Sequence, residues 1–155
     1  MEKSLAAIMT EFPLLRGFTA EGTQRLLERG EIKEYRAGEI LFSQNDPAES
    51  VLLVIAGKTE VFAEREGGEM VLTEAGPGTI LGELAVLCGI PRSASVRASE
   101  NATALLWSAS VFRNLLLRHP LLSERIFKQS LRTLVEKERS LIDSVLALQS
   151  GRPPK

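Results

Sequence analysis

The sequence is poor in the side chains from which metal sites and nucleophilic catalytic sites are usually built. Its 155 residues include one cysteine, Cys88, and one histidine, His119. A zinc site needs several converging ligands, and a cysteine or histidine that performs catalysis needs a partner. A single cysteine also excludes an internal disulfide and fits a reducing compartment. We therefore expect no metal site, no catalytic residues and no enzymatic activity, and we assign His119 a structural or surface role.

An excess of charge of one sign is also missing, as are long apolar segments. The net charge of −1 gives no support for a nucleic-acid-binding surface, which usually carries a basic imbalance. No apolar run approaches the roughly 18 residues of a membrane span, and the first 12 residues do not resemble a signal peptide. With 44% hydrophobic residues, a chain of this length can bury one core. We expect a soluble, cytoplasmic domain without membrane or nucleic-acid contacts.

The apolar spacing predicts helices at both ends of the chain. Residues 4–12 place apolar side chains on one helical face before Pro13, and Thr19 is a suitable N-cap for a second short helix. After residue 108 the period becomes helical again. Pro120 suits the first turn of a helix that continues to about Gln149.

Between these helices the sequence predicts strands. From residue 31 to 108, short β-rich runs recur about every 8 to 12 residues, as in sandwiches and rolled barrels. Residues 45–47 (Asn-Asp-Pro) and Gly67 with Gly68 are typical turn residues between them. The predicted fold class is α+β, with an antiparallel β-roll (a jelly-roll-like barrel) and flanking helices. We divide the chain into N-terminal helices (1–30), the roll (31–108), C-terminal helices (109–149) and a disordered tail (150–155).

Residues 80–96 interrupt the strands and are typical of an anion-binding loop. Gly82 allows a sharp turn and a close approach of the backbone to a ligand. A helix of only about one and a half turns is predicted to start at Glu83 and to end at Gly89. The free N–H groups at such a start bind anions, and Arg92 adds a guanidinium in fork geometry.

Two stretches of this loop resemble the ligand-binding motif of cyclic nucleotide-binding domains. They are GELA at residues 82–85 and, six residues later, RSASV at residues 92–96. The turn at 35–39 and the strand end at 54–57 also resemble this module of catabolite activators, cAMP-dependent kinase regulatory subunits and cyclic-nucleotide-gated channels. The resemblance extends from about residue 12 to residue 149. One departure is Leu81, where the family usually has an aromatic residue.

The resemblance implies a receptor for a cyclic nucleotide. The phosphate ligands would be Arg92 and the backbone N–H groups of Ala85 and of Ser93 or Ala94. The ribose 2′-hydroxyl would be held by Glu83 and by the carbonyl group of Gly82. In the family that the chain resembles, a small residue at the position of Ser93 is typical of domains that bind cAMP, whereas threonine there is typical of domains that bind cGMP. We therefore expect cAMP in preference to cGMP.

The long C-terminal helix carries an apolar heptad pattern. The predicted dimer seam consists of Phe127, Leu131, Leu134, Leu141, Val145 and Leu148, with Glu138 as its polar interruption. A helix from Pro120 to Gln149 is about 45 Å long, whereas a small domain is about 30 Å across. The helix could form a parallel homodimer, serve as a mobile lid of a monomer, or contact another protein. Alternatively, the apolar face packs entirely on its own barrel.

In the family that the chain resembles, this helix closes over the base. Counting from Pro120, the base-reading positions fall near Lys137 and Glu138. We predict base contacts from Ser93, Leu134, Glu138 and Leu141. Glu138 could accept a hydrogen bond from the adenine amino group or set the register of a dimer.

Three functions fit these observations. The favoured one is a cytoplasmic cyclic nucleotide receptor module whose ligand moves the C-terminal helices and so regulates a partner that the sequence does not identify. The second is a regulatory fragment of a longer transcription factor, channel, transporter or kinase. The third is a degenerate interaction scaffold that keeps the fold and binds no nucleotide.

Overall fold

A computed structural model describes residues 4–151, in which eight strands lie between helical ends. The helices are α1 (Leu5–Met9), α2 (Ala20–Glu28), α3 (Glu83–Cys88), α4 (Ala109–Arg118) and α5 (Pro120–Gln149), with a 3-10 helix at Pro13–Leu15. The strands are β1 (Glu31–Tyr35), β2 (Ile40–Phe42), β3 (Ser50–Ala56), β4 (Thr59–Arg65), β5 (Gly68–Ala75), β6 (Ile80–Leu81), β7 (Ser95–Ala98) and β8 (Ala102–Ser108). Most of the tail predicted at 150–155 lies outside the described residues.

The strands form two four-stranded antiparallel sheets. Their orders are β1-β8-β3-β6 and β2-β7-β4-β5. Strands that are neighbours in a sheet are mostly distant in sequence, so the chain rolls over itself. The predicted α+β class with a β-roll and flanking helices is confirmed.

Strand β3 separates two apolar layers. Val51, Leu53 and Ile55 lie in the cluster beneath the helices, whereas Leu52 and Val54 lie in the cluster between the two sheets. Successive side chains of a strand point to opposite faces, and here both faces are covered. A strand covered on both faces is expected to be apolar along its length, and β3 is apolar from Val51 to Ala56.

The helices pack on the outer face of the first sheet. Trp107 of β8 is buried, and its indole Nε1–H donates to the carbonyl oxygen of Leu26 at 2.9 Å. Its ring stacks with that of Phe112 from α4, with centroids 6.5 Å apart. Arg125 of α5 donates to the carbonyl oxygen of Leu14 in the 3-10 helix at 3.1 Å. These contacts hold the start of α5 against the N-terminal helices.

The N-terminal prediction is partly wrong. The helix expected over residues 4–12 ends at Met9, where the hydroxyl group of Thr10 donates to the carbonyl oxygen of Ala7 at 2.6 Å. Pro13 then begins a 3-10 helix, because its fixed φ fits a first helical position. The predicted N-cap at Thr19 is present, since its hydroxyl oxygen accepts from the N–H of Gly22 at 2.9 Å.

Helix α5 leaves the core partway along its length. Leu122, Ile126 and Ser130 are its buried side chains. Between Leu131 and Gln149, all of which the structure describes, no side chain is buried. Residues 4–151 contain no helix that combines the length and the apolar composition needed to cross a membrane.

Candidate functional site

A cavity of about 400 Å³ lies between the second sheet, the segment around α3, and α5. The sheet and α3 sides contribute Phe42, Val61, residues 72–75, residues 79–85, residues 92–94 and Val96. Helix α5 contributes Gln129, Thr133, Glu136, Lys137 and Ser140. The cavity therefore joins parts of the chain that are far apart in sequence.

Gly82 shapes the entrance to α3. It is the N-cap residue of this helix, and its φ of 80° lies in the left-handed region that favours glycine. A Cβ atom at this position would collide with the Nη1 atom of Arg92. Helix α3 ends as predicted at Gly89, which has a φ of 67°. The sequence of this loop thus sets its backbone path and leaves space for the Arg92 guanidinium.

The Arg92 guanidinium is only 3% exposed and is held by neutral acceptors. Its Nη1 atom donates to the carbonyl oxygen of Gly82 at 2.9 Å, and Nη2 donates to that of Ser50 at 2.6 Å. It also lies over the ring of Phe42, 4.1 Å from the centroid. Burial lowers the pKa of Arg92, and the more distant carboxylates of Asp46, Glu83 and Glu49 only partly oppose this.

The guanidinium lacks two partners that buried cations usually have. Its Nε–H is buried and has no acceptor within residues 4–151. Of the carboxylates that the structure describes, none forms an ion pair with it. Because an unpaired buried charge is costly, such an arrangement is suited to an anionic ligand.

The turn at residues 45–47 fixes the main chain of Arg92. The N–H of Arg92 donates to the carbonyl oxygen of Asp46 at 2.9 Å, and the N–H of Asn45 donates back to the carbonyl oxygen of Arg92 at 2.8 Å. Asn45 has a φ of 72°, a conformation that asparagine tolerates better than most residues. This turn therefore positions the cation in the cavity.

Glu83, at the start of α3, is a nearly buried carboxylate that is 9% exposed. Its Oε1 atom accepts from the hydroxyl group of Ser130 at 2.7 Å. Burial raises the pKa of Glu83, although the Ser130 hydrogen bond and the charges of Lys137 and Arg92 act in the opposite direction. The carboxylate has more acceptor capacity than one hydroxyl uses, so it can also hold a hydroxyl group of a ligand.

All residues predicted to bind phosphate or ribose lie at this cavity. They are Arg92, Ser93, Ala94 and Ala85 for phosphate, and Gly82 and Glu83 for ribose. Contacts with a ligand stay predictions for each of them. Sequence reasoning missed Ser50, Phe42 and Ser130, which contact Arg92 or Glu83 across 42, 50 and 47 positions of sequence.

The base contacts predicted on α5 need a correction. Ser93 lines the cavity, but Leu134, Glu138 and Leu141 do not. They are exposed, because each is one position past a residue that faces the cavity, and one position turns a helix by about 100°. The cavity-facing residues instead follow a spacing of four, three, one and three from Gln129 through Thr133, Glu136 and Lys137 to Ser140. This polar stripe could have been recognised beside the apolar heptads.

The predicted seam is exposed over its whole length. The exposed fractions of Phe127, Leu131, Leu134, Leu141, Val145 and Leu148 range from 42% to 69%. The interpretation in which this face packs entirely on its own barrel is therefore wrong. Helix α5 has one face toward the cavity and an adjacent apolar face without a partner within residues 4–151.

Residues 4–151 bring together no group of three or more histidine, cysteine, aspartate or glutamate side chains that could hold a metal ion. Cys88 is exposed at the end of α3. His119 connects α4 and α5, and its ring contacts that of Phe18 with centroids 5.9 Å apart.

Two relatives in sequence match the chain over part of their own length. An uncharacterised ABC transporter ATP-binding protein of Mycobacterium tuberculosis is 38% identical over 102 residues, which are 65% of this chain and 28% of that protein. A cAMP-dependent protein kinase regulatory subunit of Mycosarcoma maydis is 31% identical over 91 residues, which are 59% of this chain and 17% of that protein. The chain thus spans less than a third of the length of either relative.

A solved structure and a family model agree with these matches. The catabolite activator protein of Thermus thermophilus superposes with a TM-score of 0.74 at 31% identity, covering 83% of this chain and 61% of that one. The model of the cyclic nucleotide-binding domain matches residues 32–119, more than half of the chain. From the match and the cavity geometry together, the chain belongs to the cyclic nucleotide-binding domain family.

Proposed function

We propose that this chain is a receptor module for a cyclic nucleotide, with cAMP preferred over cGMP. The observation that carries the proposal is the buried Arg92 guanidinium, with its unpaired Nε–H and no carboxylate in contact among the described residues. A cyclic phosphodiester is a monoanion with two exocyclic oxygens, so it can satisfy the charge and accept hydrogen bonds in fork geometry. The backbone N–H groups of Ala85 and of Ser93 or Ala94 supply further donors.

Glu83 supports a ligand that also carries a sugar hydroxyl. Its carboxylate lies in the same cavity as Arg92 and is costly to bury without donors. The ribose 2′-hydroxyl donates one hydrogen bond, and Glu83 and the carbonyl oxygen of Gly82 are its acceptors. The cavity volume of about 400 Å³ is within the range of small-molecule sites, about 300–1,000 Å³.

For the base, we propose contacts with Ser93 and with the polar stripe of α5 in place of Leu134, Glu138 and Leu141. Thr133, Glu136 and Lys137 line the cavity and offer both donors and acceptors. The preference for cAMP is supported by the small residue at position 93 and by the similarity to a cAMP-dependent protein kinase regulatory subunit.

Ligand binding in this module moves helix α5. This helix forms one wall of the cavity and exposes an apolar face next to it, so ligand binding alters the surface that a partner meets. A ligand shifts such an equilibrium only by its difference in affinity for the two states. We propose that the exposed face forms a parallel homodimer and that the module acts in the cytoplasm as a regulator without catalysis of its own.

A second candidate is a regulatory region of a longer protein. The two relatives named above are more than three times as long as the stretch that matches, and one carries an ATP-binding protein's name. Under this candidate the partner of α5 is another part of the same polypeptide. The nucleotide site is the same in both cases.

Calorimetric titration of the protein with cAMP, cGMP and 5′-AMP tests the proposal. We expect cAMP to bind with a dissociation constant of about 1 µM or tighter, which corresponds to about −8 kcal/mol. The binding of cGMP should be weaker, and that of 5′-AMP should be weaker still, because its phosphate is a dianion that is not tied back to the ribose. If neither cyclic nucleotide binds at millimolar concentration, the scaffold without nucleotide binding is the correct function.

A further inference from the structure

Ser130 is a buried hydroxyl residue at the point where α5 leaves the core. It is 4% exposed, and no side chain after it in α5 is buried. Its hydroxyl group donates to the Oε1 atom of Glu83 at 2.7 Å, across 47 positions of sequence. This hydrogen bond links α5, the helix proposed to respond to the ligand, to the carboxylate assigned to the ribose.

Other hydroxyl residues of α5 behave differently. Thr133 donates to the carbonyl oxygen of Gln129 at 3.1 Å, and Ser144 donates to that of Ser140 at 3.0 Å. Such local bonds to the preceding turn are the usual choice for serine and threonine inside a helix. Ser130 instead donates to a buried carboxylate, an acceptor that makes stronger hydrogen bonds than a neutral carbonyl group does.

The contact also fixes the direction of the Glu83 side chain. Glu83 is the first residue of α3 and lines the cavity. Without the Ser130 hydroxyl as a donor, its carboxylate would be better solvated if it turned toward water through the open side of the cavity. The hydroxyl group of Ser130 occupies one of about four lone-pair positions of the carboxylate. Acceptor capacity therefore remains for a second hydroxyl group from the cavity.

We propose that Ser130 is a positioning residue, which holds the Glu83 carboxylate in the orientation that accepts the ribose 2′-hydroxyl and thereby ties α5 to the occupied site. The inference rests on the proposed function, because it presupposes a ligand with this hydroxyl group. Ser130 touches Glu83 and has no assigned contact with the ligand itself. Its role is distinct from that of the polar stripe that faces the base.

A thermodynamic cycle with two ligands tests this role. The affinities of cAMP and 2′-deoxy-cAMP are measured by calorimetry for the wild type, Ser130→Ala and Ser130→Thr. In the wild type, loss of the 2′-hydroxyl should weaken binding about tenfold or more, the usual effect of one hydrogen bond to a charged group. In Ser130→Ala this preference should shrink by about threefold or more, because the two hydroxyl groups act through the same carboxylate. Ser130→Thr retains a hydroxyl group and should retain the preference.

Ser144→Ala is the matched control. It removes a hydroxyl group from the same helix, but that group bonds to its own preceding turn. The ratio of the two affinities should equal that of the wild type. An unchanged ratio in Ser130→Ala overturns the inference while the proposed function stands. Failure of the wild type to bind cAMP overturns both.

A second measurement needs no substitution and so does not depend on the folding of a variant. Amide hydrogen exchange is followed in residues 126–134 of the wild type with each ligand at saturating concentration. We expect cAMP to slow this exchange more than 2′-deoxy-cAMP does, because only cAMP completes the link from the ribose through Glu83 to Ser130. Equal protection by the two ligands overturns the inference.

Discussion

Glu83 and Arg92 are buried charged side chains that line one cavity. Each is surrounded mainly by neutral groups: the Ser130 hydroxyl in one case, and the Gly82 and Ser50 carbonyl groups in the other. Stability alone does not favour such an arrangement, because removing a charge from water is costly unless it is well paired. This desolvation cost arises at the two residues assigned to bind the proposed ligand, as expected for a functional site.

Glu83→Gln should therefore stabilise the ligand-free protein and weaken ligand binding. Burial raises the pKa of Glu83, so its carboxyl group binds a proton more tightly in the folded protein than in the unfolded chain. The free energy of unfolding of the wild type therefore falls as the pH rises through the pKa of Glu83 in the folded protein. Glutamine keeps an oxygen for Ser130 but carries no charge. We expect the variant to exceed the wild type in free energy of unfolding near pH 7, and the difference to shrink toward about pH 4.

Denaturant unfolding across this pH range measures the effect, with the single tryptophan, Trp107, as the fluorescence probe. Titration with cAMP should show at least about tenfold weaker binding, because an amide is a poorer acceptor than a carboxylate. Glu100→Gln, an exposed substitution outside both the cavity and the seam, is the control and should change stability by about 0.5 kcal/mol or less. A Glu83→Gln variant that is less stable near pH 7 would contradict the account of Glu83.

Helix α5 is the element whose apolar surface has no partner within residues 4–151. Its second half is helical and regular, yet its seam residues are 42% to 69% exposed. Val135, Ile142 and Leu146 extend this surface and are also exposed. A helix in a folded protein gains most of its stability from burying such a face, and apolar residues at heptad spacing are suited to a second helix with the same pattern.

Sedimentation equilibrium of a double variant, Leu134→Gln with Leu141→Gln, tests this surface. The wild type should form dimers, and the variant should dissociate at least about tenfold more readily, because each buried leucine contributes about 1.5–3 kcal/mol. The matched control is Arg132→Gln with Arg139→Gln, two exposed positions outside the seam on the same helix. Glu138→Leu, which makes the seam continuous, should strengthen association. A wild type that remains monomeric at high concentration contradicts the dimer.

The elements could be predicted from sequence where one local rule governs them. The heptads and Pro120 predict α5 within a residue, and Gly82 and Gly89 predict the ends of α3. The helix predicted over residues 4–12 is too long, since beyond Met9 the N–H groups of Glu11 and Phe12 bond to carbonyl groups three residues back and no longer continue the α-helix. The Ser130 contact could not be predicted, since a serine inside a helix carries no signal that a carboxylate 47 positions away will reach it. The predicted base contacts on α5 lie one position past the residues that face the cavity. Which face of the helix meets the cavity depends on tertiary packing, so it could not be predicted either.

The fold brings three separate parts of the chain together around one cavity. The β-roll supports the loop with Arg92, the short α3 presents Glu83, and α5 closes the cavity from the C-terminal side. Ser130 is both the last buried residue of α5 and the partner of Glu83, so the cavity and the exposed seam lie on the same helix. Under the proposed function, a ligand that changes the contacts of Glu83 would therefore act on the exposed face of α5.

We propose that the buried Arg92 guanidinium binds the phosphate of a cyclic nucleotide, and calorimetric titration of cAMP into the wild type, Arg92→Ala and Arg97→Ala tests this claim. Arg97 lies near Arg92 in sequence but pairs with Glu60 and Glu69 away from the cavity, which makes it the matched control. Arg92→Ala should lose about 2–5 kcal/mol of binding free energy, roughly 30-fold or more in affinity, while Arg97→Ala binds like the wild type. A folded Arg92→Ala variant that binds cAMP as tightly as the wild type would contradict the claim.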